Sequence, residues 1–231
     1  MTADEKLRKA VFQVGDGRGF KVGHFVITAA RCIPPPREQM TCSSKRTYKL
    51  LGPLGNKDII WVELLFAYQI GDLAILGQPG NQELTKEAEA YDRLLESTPG
   101  FAIANVKPNK QLSAKVLSLS GQWISCSIIH HHRGSLRLEG AAIEGGMSGS
   151  PIISRAGKAV GVVCGTSETD GVQITSINVH LTRGLPRWFP LRSHHFRTPN
   201  SESRLCEFEP TPEGHRLLPG VTGATRAPVC E

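Results

Sequence analysis

The sequence has no long apolar run: no stretch of its 231 residues approaches the roughly 18 consecutive apolar positions that a membrane-spanning helix needs. The opening segment, MTADEKLRKAVFQVGDGRGF, carries charges but no apolar core, so it is not a secretory signal as written. With a complete N-terminus, the expected compartment is the cytoplasm. No two cysteines have the CxxC spacing of a metal or redox pair, although six are present: Cys32, Cys42, Cys126, Cys164, Cys206 and Cys230. Without a secretory signal, free buried thiols are expected, with Cys32–Cys42 and Cys206–Cys230 as the pairs to test for a bond. Neither metal nor cofactor is expected. No internal repeat is visible. Neither sign of charge dominates, since 27 Lys and Arg face 21 Asp and Glu, giving a net charge of +6 and a pI near 9.1. That balance fits a mildly basic soluble protein, and neither a nucleic acid nor a membrane is expected as partner.

What is present fits a turn-rich globular chain, with 39% hydrophobic residues, 24 Gly and 15 Pro. Short apolar or alternating runs dominate the front half: Ala10–Val14, Gly19–Val22, Phe25–Thr28, Thr47–Leu51, Ile59–Phe66 and Leu73–Leu76. Short strands with frequent Gly, Asp and Pro between them predict an antiparallel sandwich or barrel. NQELTKEAEAYDRLL, Asn81–Leu95, predicts a surface helix. Ser97-Thr98-Pro99-Gly100 then breaks the chain and divides it into halves, 8–98 and 99–184. Strands are predicted again at Ala114–Leu119, Gln122–His130, Ser135–Glu139, Pro151–Ser154, Ala159–Cys164 and Val172–Val179, with a hairpin turn at Arg155-Ala156-Gly157-Lys158. From Leu185 to Glu231 the chain is Pro- and Arg-rich and aperiodic, which predicts an irregular tail. A tail that folds Trp188 and Phe189 back onto the body is the structured alternative.

Three segments carry chemistry. Gly145-Gly146-Met147-Ser148-Gly149-Ser150-Pro151 can turn tightly, present a serine hydroxyl and aim backbone N–H groups at one point. Pro151 then opens a strand, where its missing N–H does little harm. An ordinary Gly/Ser turn is the plain alternative. Gly71-Asp72-Leu73-Ala74-Ile75-Leu76 offers a carboxylate at a strand's start, or simply a turn aspartate. The third is Gly23-His24-Phe25-Val26-Ile27-Thr28-Ala29-Ala30-Arg31-Cys32.

Taken in chain order, Gly23–Cys32, Gly71–Leu76 and Gly145–Pro151, the three segments resemble chymotrypsin-like (trypsin-like) serine peptidases, most closely the bacterial high-temperature-requirement-like branch. The resemblance implies an all-β fold of two six-stranded antiparallel β-barrels with an irregular C-terminal tail. It also implies a serine endopeptidase whose nucleophile is Ser148, whose orienting acid is Asp72 and whose oxyanion hole is made by the amides of Gly146 and Ser148. Ala142, Cys164, Gly165 and Thr166 match the substrate-binding segments. The small residues there, with no acid at the pocket base, disfavour an Arg or Lys side chain. Met147 replaces the aspartate of trypsinogen-type enzymes and there is no Ile-Val-Gly-Gly start, so activation by N-terminal cleavage is not implied.

One position departs from the pattern. The family motif reads Val-Leu-Thr-Ala-Ala-His-Cys, and Arg31 stands where its histidine should be. An arginine stays charged and cannot take a proton from Ser148; its expected role is an ion pair with Asp72. Three readings remain: an endopeptidase impaired by Arg31, a pseudopeptidase that binds a peptide or protein in the inter-barrel cleft, and an active protease in which Arg31 is a sporadic or engineered change. His24 is expected well over 10 Å from Ser148, since a strand rises about 3.3 Å per residue. In the His130-His131-His132 run, at most two side chains can share a strand face. Val162–Gly165 is expected to serve as an edge strand for an extended peptide.

Overall fold

A computed structural model describes residues 2–33, 47–54, 59–80, 82–104, 111–130, 135–164, 167–169, 172–174 and 177–189. Cys42, Cys206, Cys230, Gly165, Thr166, His131, His132 and the tail beyond 189 lie outside the described residues.

Six strands form the first barrel: β1 (Val11–Val14), β2 (Gly17–Val22), β3 (Phe25–Thr28), β4 (Thr47–Pro53), β5 (Ile59–Tyr68) and β6 (Leu73–Gly77). Their order is β1-β2-β3-β6-β5-β4, and β4 returns to pair with β1 at Gln13↔Leu51, which closes the sheet. The second barrel contains β7 (Gln111–Leu117), β8 (Trp123–His130), β9 (Ser135–Glu139), β10 (Pro151–Ser154), β11 (Ala159–Val162) and, after a separate ribbon β12 (Ser167–Thr169) and β13 (Val172–Ile174), β14 (Ile177–His180). Its order is β7-β8-β9-β14-β11-β10, closed by Ile152↔Val116. With the ribbon set aside, the two barrels have the same strand order. The repeat is one of topology, invisible in the residues because each barrel needs only alternating apolar positions, not particular ones.

The two six-stranded barrels are those predicted. Strand ends differ for local reasons. The predicted Ala159–Cys164 strand ends at Val162 because the next residues turn to hold the serine loop. Val162 itself is no edge, since it pairs with Pro151 on one side and Val179 on the other. The predicted Val172–Val179 run is split between β13 and β14. Helix α1 (Ala3–Arg8) was not predicted; it is started by a capping box in which Thr2 Oγ1 accepts the Glu5 N–H and Glu5 accepts that of Thr2. Helix α2 (Thr85–Ser97) overlaps the predicted Asn81–Leu95 segment but begins later, after a 3-10 turn at Gln82–Leu84, and runs two residues further, to Ser97. It buries Tyr91 and Leu95, four residues apart and so on one face, while Lys86, Glu89, Arg93 and Glu96 are exposed. A short helix, α3 (Leu181–Gly184), follows β14, and Phe189 beyond it is buried against Phe25 with ring centres 5.2 Å apart.

The core runs across the barrel boundary. Leu117, Ile153 and Val162 of the second barrel belong to the same buried cluster as Phe12, Phe20 and Ile75 of the first. A second cluster, including Val116, Ile128, Leu138 and Met147, fills the second barrel. Arg18 braces the junction. It is 4% exposed, its amide donates to Ser148 O (2.7 Å), and its guanidinium donates to the carbonyls of Leu117, Ser118 and Leu119 at 2.9, 2.9 and 3.3 Å. Burial, with Arg8 nearby, lowers its pKa from the usual value. Among the described residues no helix is long and apolar enough to cross a membrane.

Candidate active site

Arg31 sits in a single 3-10 turn, Ala30–Cys32, directly after β3. Asp72 sits in the turn from β5 into β6 with φ of 49°, a left-handed conformation that aspartate tolerates better than most residues. Its carboxylate reaches Arg31. Asp72 Oδ1 accepts the Arg31 amide at 2.9 Å and Oδ2 accepts Arg31 Nε at 2.5 Å. The Arg31 side chain is 55% exposed and that of Asp72 is 15% exposed. A pair this open to water adds little stability, about 0–1 kcal/mol. What it does is take up both oxygens of the carboxylate. His24, in the turn before β3, is at the opposite end of that strand; its carbonyl accepts Tyr91 Oη at 2.8 Å.

Ser148 lies on the loop between β9 and β10. Gly149 N–H donates to Val163 O (2.6 Å), Val163 N–H to Ser150 O (2.9 Å) and Ser150 N–H to Met147 O (3.0 Å). Met147 is fully buried, and its sulfur accepts the Glu144 N–H at 3.3 Å. The loop is therefore seated by an apolar anchor. Gly149 is required there: its φ is +82°, and a Cβ would come within 1.8 Å of Arg18 O. Ser148 Oγ points at the carbonyl of Cys164, 3.4 Å away, near the outer limit of a hydrogen bond. The amides of Gly146 and Ser148 have no backbone acceptor among the described residues.

Between the barrels a cleft of about 490 Å³ is lined by Gly15, Asp16, Gly17, Arg31, Cys32, Gly146 and Ser148. Burial pushes the Cys32 thiol above its usual pKa, with the Thr28 hydroxyl pulling the other way. Cys32, Cys126 and Cys164 are free thiols.

No protein-family model and no curated protein matches the chain in sequence. The active form of the Rv3671c protease from M. tuberculosis matches in structure with a TM-score of 0.51 at 16% identity, covering 78% of this chain and 80% of that one. The fold is chymotrypsin-like. The MamO protease domain from Magnetospirillum magneticum aligns at a TM-score of 0.47 and 15% identity, covering 77% of this chain and 94% of that one. A human pathogenic astrovirus serine protease aligns at 0.47 and 14%, covering 76% and 91%.

On this chymotrypsin-like scaffold the residues singled out in the sequence divide into groups. Arg31, Gly146 and Ser148 line one cleft, and Asp72 stands behind Arg31. Cys164 is 3% exposed, and its sulfur is 3.6 Å from Asp72 O and 3.4 Å from Val162 O, so its backbone rather than its thiol faces the serine. Ala142 is exposed and does not line the cleft. Sequence reasoning missed Asp16 and Arg18. A signal was present in Gly17, a glycine at a strand's start, because such glycines mark close backbone approach. A Cβ there would lie 2.4 Å from Cys32 Sγ and 2.6 Å from Ser148 O.

Proposed function

We propose that the protein is a pseudopeptidase: a trypsin-like serine endopeptidase scaffold, with Ser148 and Asp72 retained, that binds peptides in the inter-barrel cleft and hydrolyses them poorly or not at all. The observation that carries this reading is the Arg31–Asp72 pair. The carboxylate that would orient a histidine is bound at both oxygens by Arg31. The guanidinium remains charged and accepts no proton. Among the described residues the one hydrogen-bond partner of Ser148 Oγ is the Cys164 carbonyl, itself no base. Losing a triad member costs on the order of 10⁶ in turnover in a well-studied serine protease. The oxyanion amides and binding leave a residue on the order of 10³–10⁴ over water. The Gly-Gly-Met-Ser-Gly-Ser-Pro loop favours the high-temperature-requirement-like branch of the fold.

The intact serine loop favours a second reading, an active endopeptidase in which Arg31 is a sporadic change. A serine-directed fluorophosphonate separates the two. The unmodified protein should not label, Arg31→His should label, and Arg31→His/Ser148→Ala should not. Strong labelling of the unmodified protein that vanishes in Ser148→Ala overturns the pseudopeptidase reading.

A further inference from the structure

The cleft beside Ser148 is rich in unmet donors. Arg31 uses Nε and its backbone N–H on Asp72, and its two terminal nitrogens have no protein acceptor among the described residues. A guanidinium offers five N–H bonds in a rigid fork, so one whole edge of Arg31 remains. Gly146 and Ser148 line the same cavity, and their amides are likewise unmatched to a backbone acceptor among the described residues. Met147, fully buried beneath the loop, fixes where those amides stand.

An internal peptide bond brings one carbonyl oxygen to such a place. It could satisfy the two amides, but it would leave the Arg31 edge facing only neutral chain. A chain end brings two coplanar oxygens and a negative charge. We propose that the cleft captures the free C-terminal carboxylate of an extended peptide, one oxygen on the Gly146 and Ser148 amides and the other on the outer edge of Arg31. This rests on the pseudopeptidase reading, because a working histidine at position 31 would supply no permanent cation. Asp16, exposed at the rim of the same cleft, opposes the ligand's charge and sets an upper bound on affinity.

The test uses the full chain and two pools of random-sequence octapeptides, one ending in free carboxylates and the other in carboxamides. Retention on the protein is read by mass spectrometry. The acid pool should be retained at least about tenfold better than the amide pool, the size of one charge-assisted hydrogen-bonded contact. Arg31→Gln should erase that preference. Asp16→Asn, a change at an exposed turn, should increase retention of the acid pool and so reports even where Arg31→Gln fails to fold. Equal retention of the two pools overturns the carboxylate site while leaving a peptide-binding pseudopeptidase in place. Retention of neither pool overturns it too. Shortened octapeptides appearing with the unmodified protein and not with Ser148→Ala overturn the pseudopeptidase reading itself.

Discussion

At position 31 the whole functional question is a difference in proton affinity. An imidazole can accept and return a proton near neutral pH, whereas a guanidinium stays charged and cannot. Both Asp72 oxygens are taken by Arg31, one by its backbone N–H and one by Nε. The sequence made the departure at position 31 readable, because Arg31 lies inside a segment whose other positions fit the motif. Arg18 was not readable: nothing about an arginine between two glycines says that three carbonyls from a loop about a hundred residues away will surround it. Glycines give the sharpest residue-scale prediction. Gly149→Ala places a methyl on the Arg18 carbonyl at a positive φ and should unfold the protein or prevent its accumulation. Gly140 has nearly the same φ, +83°, but open space around it. Gly140→Ala should cost only the left-handed penalty, about 1–2 kcal/mol, in a urea titration.

Among the elements, strands were legible where apolar residues run together, as in Leu73–Gly77, every residue of which is buried. Their ends were not, because ends are decided by partners. β11 stops where Val163 leaves the ladder to bond Ser150, a choice that no property of Val163 announces. Helix α1 was missed for a different reason. Its six residues bury no side chain, so it has no apolar stripe, and only Thr2 and Glu5 mark it. Helix α2 depends on a device from the first barrel. Lys21 Nζ donates to the carbonyls of Leu95 and, at 2.6 Å, Thr98, capping the helix C-terminus, and burial lowers its pKa. A cation there is favoured by the helix dipole. Lys21→Met keeps the apolar stem and removes the donors. It should cost about 1–2 kcal/mol and accelerate amide exchange in the last turn of α2 while leaving the β2 amides protected.

For the whole molecule, the question is what makes two closed sheets behave as one body. Part of the answer is the shared apolar cluster; the rest is Arg18, whose main chain holds the serine loop and whose side chain holds the Leu117–Leu119 turn. Arg18→Leu fills the space but leaves those carbonyls without their donor. It should cost about 2–4 kcal/mol. Tryptophan probes in the two barrels, Trp61 in β5 and Trp123 in β8, should then report separate unfolding midpoints where the unmodified protein shows one. The double-barrel plan was visible from the order of the motifs, yet the Arg18 coupling was not, since the acceptors of its guanidinium are backbone carbonyls that every sequence has.

Closure of both barrels also bears on self-association. A sheet that returns to its first strand leaves no row of unpaired backbone groups on which another chain could stack, and strand-by-strand stacking is how fibrils grow. Among the described residues the one ladder not closed into a barrel is the short ribbon Ser167–Thr169 with Val172–Ile174. Among the described residues, any tendency to add strands at high concentration is therefore confined to that ribbon, and a charged or proline substitution within it is the place to suppress it.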